Sequence, residues 1–175
     1  MTDRKFPIGP LVLQEDYTKE ELKDFISVIA NIAADYSRLV ENLAEEDLVK
    51  TYREGSWNIR QLVHHVADIQ FLHYMRMKKA VTEPDYKEVT LIDMNAWAET
   101  PDSFQAPVSV SLNMLHGVHY RYALFAQSLH EEQLAVTYFH PLRKIDISQK
   151  QALAMSVWHA QHHLAHIKLA LNMLA

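Results

Sequence analysis

Ser148-Gln149-Lys150-Gln151-Ala152-Leu153-Ala154-Met155-Ser156-Val157-Trp158-His159-Ala160-Gln161-His162-His163-Leu164-Ala165-His166-Ile167-Lys168-Leu169-Ala170 is the stretch whose reading decides the fold. It contains neither proline nor glycine, so the expectation is a helix that starts near Ser148 and runs unbroken to the C-terminus. Ala152, Met155, His159, His163, Ile167, Ala170 and Leu174 recur at helical spacing, which turns this stripe towards an interior. A second stripe carries Met155, Trp158, His162, His166 and Leu169. His159 and His163 are four residues apart, and so are His162 and His166; periodicity alone does not choose between the pairs.

Three more helices precede this one. Thr18-Lys19-Glu20-Glu21 reads as a capping box, with a threonine cap and a glutamate three residues on. Leu22, Phe25, Ile29, Ile32, Tyr36, Leu39, Val40 and Leu43 then repeat at helical spacing. Gly55-Ser56 gives the next start, with Ser56 as the cap and a helix from Trp57 to about Lys79. Its apolar residues cover two sides, as contact with two neighbours requires. The third helix covers about Val108–Leu129. Between the second and third lie residues 80–107, with Pro84, Pro101 and Pro107, read mostly as a connection with a short helical stretch at Leu91–Glu99. Residues 136–147 read as a small hairpin, and 1–17, with Pro7, Gly9 and Pro10, as an extended N-terminal arm. The expected fold is all-α, a single four-helix-bundle domain over 1–175 with a long crossover between helices 2 and 3.

Composition narrows the function. A length of 175 residues, 49% hydrophobic and 22% charged, suits one globular domain. A formal charge of −5 argues against nucleic acid, whose phosphates ask for a basic face. No apolar run reaches the roughly 20 residues of a membrane span, and the start of the chain lacks a signal peptide's apolar core; a cytoplasmic protein is the expectation. With Cys 0 there is no thiolate ligand and no cysteine nucleophile. Gly 3 leaves no glycine-rich phosphate loop. His 11 is high, and the histidines cluster at 64–65–73, 116–119 and 159–162–163–166.

Two imidazoles four residues apart on a helix can hold one divalent ion, and His65 on the second helix offers a third ligand. Three neutral imidazoles with one open position make the catalytic type of zinc site, which lowers the pKa of a bound water or holds a thiol as thiolate. Spacing alone does not separate such a site from histidines packed in a core.

At these residues the chain resembles the DinB/YfiT-like family of proteins classed as metal-dependent hydrolases. The stretch Tyr52-Arg53-Glu54-Gly55-Ser56-Trp57-Asn58-Ile59-Arg60-Gln61-Leu62-Val63-His64-His65-Val66-Ala67-Asp68 is similar to the family's helix-two signature. Phe6-Pro7-Ile8-Gly9, Tyr138-Phe139-His140-Pro141 and Trp158 to Ile167 are similar to three further blocks, in the same order. Ser56 and Asn58 stand where Gly and Thr often occur, and residues 80–107 match poorly. The resemblance implies a four-helix bundle and one zinc- or nickel-type ion held by His65, His159 and His163. It also implies a small-molecule substrate facing a wall built from 80–107, and a homodimer. Enzymes that join bacillithiol, a low-molecular-weight thiol, to electrophiles are among the family's members.

Other groups have candidate roles. Asp68 and His162 are the candidate catalytic residues, Asp68 as a base or as an orienter of an imidazole, His162 with His166 as proton carriers. Asp68 is otherwise a surface acid paired with Arg60, and His64 its i,i+4 partner. Arg76 and Tyr74 are candidate contacts for an anionic substrate. Three functions stay open at this level: a metal-dependent hydrolase or thiol S-transferase, a non-enzymatic metal-stabilised bundle, and a bundle whose histidines merely pack.

Overall fold

The computed structural model describes residues 3–174. Four long helices dominate: α1 (Lys19–Val40), α3 (Ile59–Thr82), α6 (Val108–Ser128) and α8 (Gln149–Ala170). Between them lie four short ones: α2 (Glu45–Leu48), α4 (Met94–Ala98), α5 (Pro101–Gln105) and α7 (Glu131–Leu134). A hairpin of β1 (Thr137–His140) and β2 (Ile145–Ser148) completes the elements. Its strands are antiparallel, with Tyr138 opposite Ile147 and Phe139 opposite Asp146.

Local chemistry explains the helix starts. The Thr18 hydroxyl accepts from the Glu21 N–H at 3.2 Å, while the Glu21 carboxylate accepts from the Thr18 N–H at 2.8 Å. Ser148 and Gln151 repeat the arrangement at the head of α8. At α3 the expected Ser56 cap is corrected to Asn58. The Asn58 side chain accepts from the Gln61 N–H at 2.9 Å and Gln61 reciprocates at 3.1 Å. Ser56 instead donates to the Arg53 carbonyl at 2.8 Å, within a turn where Gly55 takes φ +67°. Two satisfied orphan donors outweigh one hydroxyl in a turn, so the helix begins two residues later. α8 also stops short of the C-terminus, at Ala170, because Asn172 enters the left-handed region at φ 55°.

Each of α1 and α3 packs on both α6 and α8, so the first two long helices stand diagonally across the bundle. Residues 41–58, which include α2, span that diagonal between α1 and α3, whereas α3 and α6 are neighbours despite the long connection through α4 and α5. The core forms two apolar clusters. One gathers Tyr36, Val40, Ile59, Leu62, Val66, Leu115 and Ile167. The other gathers Ile29, Met77, Tyr122, Tyr138, Ile147 and Leu153. On α3 they meet between Ala67 and Tyr74, and on α8 between Val157 and Ala160. His73 and Gln70 on α3, with His159 on α8, fill that polar seam.

The N-terminal arm lies along α8. Trp158 donates its indole N–H to the Gly9 carbonyl at 3.1 Å, and Gln151 donates to the Gln14 carbonyl at 2.8 Å. No helix among the described residues is long and apolar enough to cross a membrane.

Candidate metal centre

α3 and α8 face each other across the seam, and His65, His159 and His163 converge there. One nitrogen from each lies within 4.8 Å of the others. The Nε2 atoms of His65 and His159 are 3.1 Å apart. Burial pushes His65 down to about 4 and holds His159 and His163 well below the ordinary imidazole value, with neighbouring histidines adding to the effect. All three are therefore neutral at pH 7, the state in which an imidazole lone pair is available to a metal. A set of three neutral imidazoles from two rigid helices fits a zinc- or nickel-type ion.

The surroundings hold these rings in place. Gln70, fully buried, brings its amide nitrogen to 3.3 Å from His159 Nδ1 and donates to the Ser156 carbonyl at 3.0 Å. The Ser156 hydroxyl donates back to Gln70 Oε1 at 2.8 Å. The His163 Nδ1 lies 3.3 Å from His166 Nδ1, and His166 Nε2 lies 3.3 Å from the Lys5 carbonyl. Because a carbonyl only accepts, His166 carries its proton on Nε2 and receives the Nδ1 proton of His163. That leaves the lone pair on His163 Nε2 unclaimed. Tyr52 stacks on His166, with ring centroids 3.8 Å apart and planes at 10°.

A second trio, His162, His163 and His166, also converges within 4.8 Å. The two trios differ in access. His65, His159, His163 and His162 line a cavity of about 370 Å³, whereas His166 does not. Trp57, Ile69, Met155 and Trp158 form the apolar floor beside the rings, and Leu91, Ile92 and Met94 of the crossover form the opposite wall. Backbone pairing fixes that wall: Val89 donates to the Phe139 carbonyl at 3.2 Å and Phe139 to the Lys87 carbonyl at 2.8 Å. Arg76 ties the same segment to α3 by donating to the Thr90 carbonyl at 2.8 Å.

The remaining expected residues take varied positions. His162 lines the cavity, stacked on Trp158 with centroids 4.3 Å apart, and burial lowers it to about 4. Asp68 does not line the cavity. Its carboxyl is pushed up to about 6, first by burial and then by the charge of Asp102. Among the described residues it has neither a hydrogen bond to an imidazole nor an ion pair with Arg60, which pairs with Glu45 instead. The pairing of His64 with Asp68 is corrected too. His64 donates from Nε2 to the Ala106 carbonyl at 3.1 Å and accepts at Nδ1 from the Ser111 hydroxyl at 2.7 Å. An α6 side chain and the crossover outcompete the i,i+4 carboxylate. Tyr74 packs on Tyr122 and Phe125, away from the cavity, whereas Arg76 lines it.

Sequence reasoning passed over Gln70, His73, His140 and Arg143. The stripe His65, Ile69, His73 carried a signal for one of them, since His73 repeats at i+8 on the same helix face. Arg143 and His140 come from the hairpin, and nothing local ties that hairpin to α3.

Known proteins agree with this architecture. A family model described as the DinB superfamily matches residues 30–167. A protein of Oceanobacillus iheyensis named "Putative metal-dependent hydrolase OB0413" is 41% identical over 170 residues, covering 97% of this chain and 96% of its own length. The solved structure of YfiT from Bacillus subtilis, described as a probable metal-dependent hydrolase with an unusual four-helix bundle topology, superposes with a TM-score of 0.93 at 34% identity. That match covers 98% of both chains. A mycothiol-dependent maleylpyruvate isomerase shares the fold at a TM-score of 0.67 and 15% identity, over 87% of this chain and 63% of its own. A match over most of the chain, with relatives alike along nearly their whole length, places this protein in the DinB superfamily, beside relatives named for metal-dependent hydrolysis.

Proposed function

We propose that this protein is a metal-dependent enzyme in which His65, His159 and His163 hold one zinc or nickel ion with a position left open towards the cavity. The observation that carries the reading is the convergence of three neutral imidazoles, within 4.8 Å, on the floor of a cavity walled by the crossover. A bound ion there would supply Lewis acidity, drawing a proton from a coordinated water or from a low-molecular-weight thiol. The reaction class is hydrolysis of a small substrate or transfer of the thiol to an electrophile.

The chain's own residues supply the rest. Trp57, against His65 at 4.6 Å between centroids, and the Leu91–Met94 wall give the open position an apolar surround. His162, in the wall next to His163, is the group assigned to pass the substrate's proton. Asp68 has the weaker claim to a catalytic role, since it stands outside the cavity. His65, His159 and His163 are preferred over the second trio because both nitrogens of His166 are already engaged, by His163 and by Lys5.

Gln70 carries a prediction of its own. A ligand histidine bound through Nε2 needs an acceptor at Nδ1; the side-chain oxygen of Gln70 can serve if its amide turns over, at the cost of its bond to the Ser156 carbonyl. Gln70→Leu is expected to weaken metal affinity about 10–100-fold, measured by competition with a coloured chelator. Unchanged affinity would reduce Gln70 to packing.

Activity gives the direct test. The metal-loaded protein is incubated with a small thiol plus monochlorobimane, and separately with a p-nitrophenyl ester. The expected result is turnover of at least one pair that needs the ion and falls to background in His163→Ala. Metal-independent rates in both assays, identical in wild type and variant, would overturn the reading.

A further inference from the structure

The cavity has a second end, and its chemistry differs from that of the imidazole trio. Arg76 from α3 and Arg143 from the hairpin turn both line it, with His73 and His140 beside them. No aspartate or glutamate is among the residues lining the cavity, although the chain as a whole carries a net charge of −5. Arg76 is only 9% exposed, and among the described residues it forms no ion pair. Its one hydrogen bond goes to a neutral carbonyl, that of Thr90, which leaves most of the guanidinium fork unclaimed. A guanidinium taken so far out of water without a carboxylate is costly unless an anion meets it. His73 and His140 line the cavity beside the two arginines and bring no negative charge to it. An ion on the trio would make the cavity more positive still.

We propose that this end of the cavity is an anion subsite, in which Arg76 and Arg143 grip a carboxylate or phosphate group carried by the substrate. It rests on the proposed function only in calling the bound molecule a substrate. Arg76 supplies the buried, preorganised fork, and its bond to Thr90 fixes the fork's direction. Arg143, exposed on the hairpin turn, closes over the anion from the solvent side. The subsite would set the reacting group of a small anionic molecule over the imidazole trio and reject neutral analogues of the same size. Electrostatic selection of this kind costs a neutral competitor the unpaired guanidinium.

The test is calorimetric titration of inorganic phosphate, and separately of succinate, in low-chloride buffer. The proteins are metal-loaded wild type, Arg76→Gln, Arg143→Gln, and His163→Ala, the last with its metal content measured. The expected result is saturable binding of at least one anion to wild type, weakened about tenfold or more in Arg76→Gln. The loss in Arg143→Gln is smaller, because that side chain is exposed, and it decides the matter if Arg76→Gln does not fold. Binding that persists in His163→Ala separates the subsite from the ion, and it supports the subsite even if no metal is found in any preparation. Two results would overturn the proposal: neither anion binds wild type, or binding is unaffected by both arginine substitutions. If binding vanishes in His163→Ala but survives in the arginine variants, the anion sits on the ion; the subsite is then wrong while the proposed function stands. Which of phosphate and succinate binds tighter tells the phosphate from the carboxylate class.

Discussion

The metal-free protein is expected to lose most of its stability between pH 6.5 and about 4.5, well above the range where ordinary carboxylates titrate. The cause is a set of histidines buried neutral. His119, His162 and His166 are held at about 4 and His73 at about 3, in each case first by burial. In the unfolded chain the same rings titrate near 6.5. The unfolded state therefore takes up protons that the folded state refuses, so their contribution is complete above pH 6.5 and disappears as pH falls towards the folded values. At pH 4.5 the deeply buried His73 and His119 each withdraw about 2.5 kcal/mol, His162 and His166 less because solvent screens them, and the set on the order of 5–10 kcal/mol, comparable with the whole stability of a domain this size. Asp68 acts in the opposite direction. Its carboxyl is raised to about 6, so protonation returns up to about 2 kcal/mol, less the part that solvent screens. Urea unfolding followed by circular dichroism at steps from about pH 7.5 to 4.5 checks this. His119 donates to the Ile29 carbonyl at 2.8 Å, far from the cavity, so His119→Gln should flatten the slope without touching the site. A urea midpoint that stays level down to pH 4.5 would show these rings to be protonated in the fold.

Removing one imidazole of the trio is expected to lower metal affinity by two to three powers of ten. Apparent binding energies of roughly 10–16 kcal/mol for four-ligand structural zinc sites put one ligand at about 2.5–4 kcal/mol. His65→Ala and His159→Ala should therefore fail to compete with a chelator that the wild type defeats. The informative contrast is His166→Ala. His166 touches His163 only through Nδ1 and lies outside the cavity, so its loss removes an orienting acceptor and costs about 10–100-fold at most. If His166→Ala loses the ion as completely as His65→Ala does, the metal occupies the other trio, His162, His163 and His166.

How far the sequence could be read follows from the range of the forces involved. The four long helices were legible because their apolar stripes repeat over several turns, and Thr18 with Glu21 marked the start of α1 without any neighbour. Asn58 was missed because Ser56, a good cap by type, sits beside a glycine that makes it part of a turn. The helices α2, α5 and α7 are four or five residues long, too short for a period to show. At the site, the i,i+4 rule found His159 with His163 and also His162 with His166, since one helix presents both pairs equally. Only packing distinguishes them: α3 brings His65 to the first pair, whereas Tyr52 and the Lys5 carbonyl claim His166. His64 was paired with Asp68 by the same rule, and Ser111 of α6 overrode it. The arginine end of the cavity was half visible, through Arg76. Arg143 arrives from a hairpin nearly 70 positions away (roughly, by number), and no local pattern carries that placement.

The measurement closest to the central claim is the metal content of the protein purified without a histidine tag, made beside His65→Ala and His159→Ala. The expected result is about one zinc or nickel ion per chain in the wild type, and in neither variant, with all three proteins folded by circular dichroism. No ion in the wild type, even after dialysis against zinc or nickel, would contradict the claim and leave three neutral histidines packed together in a helical bundle.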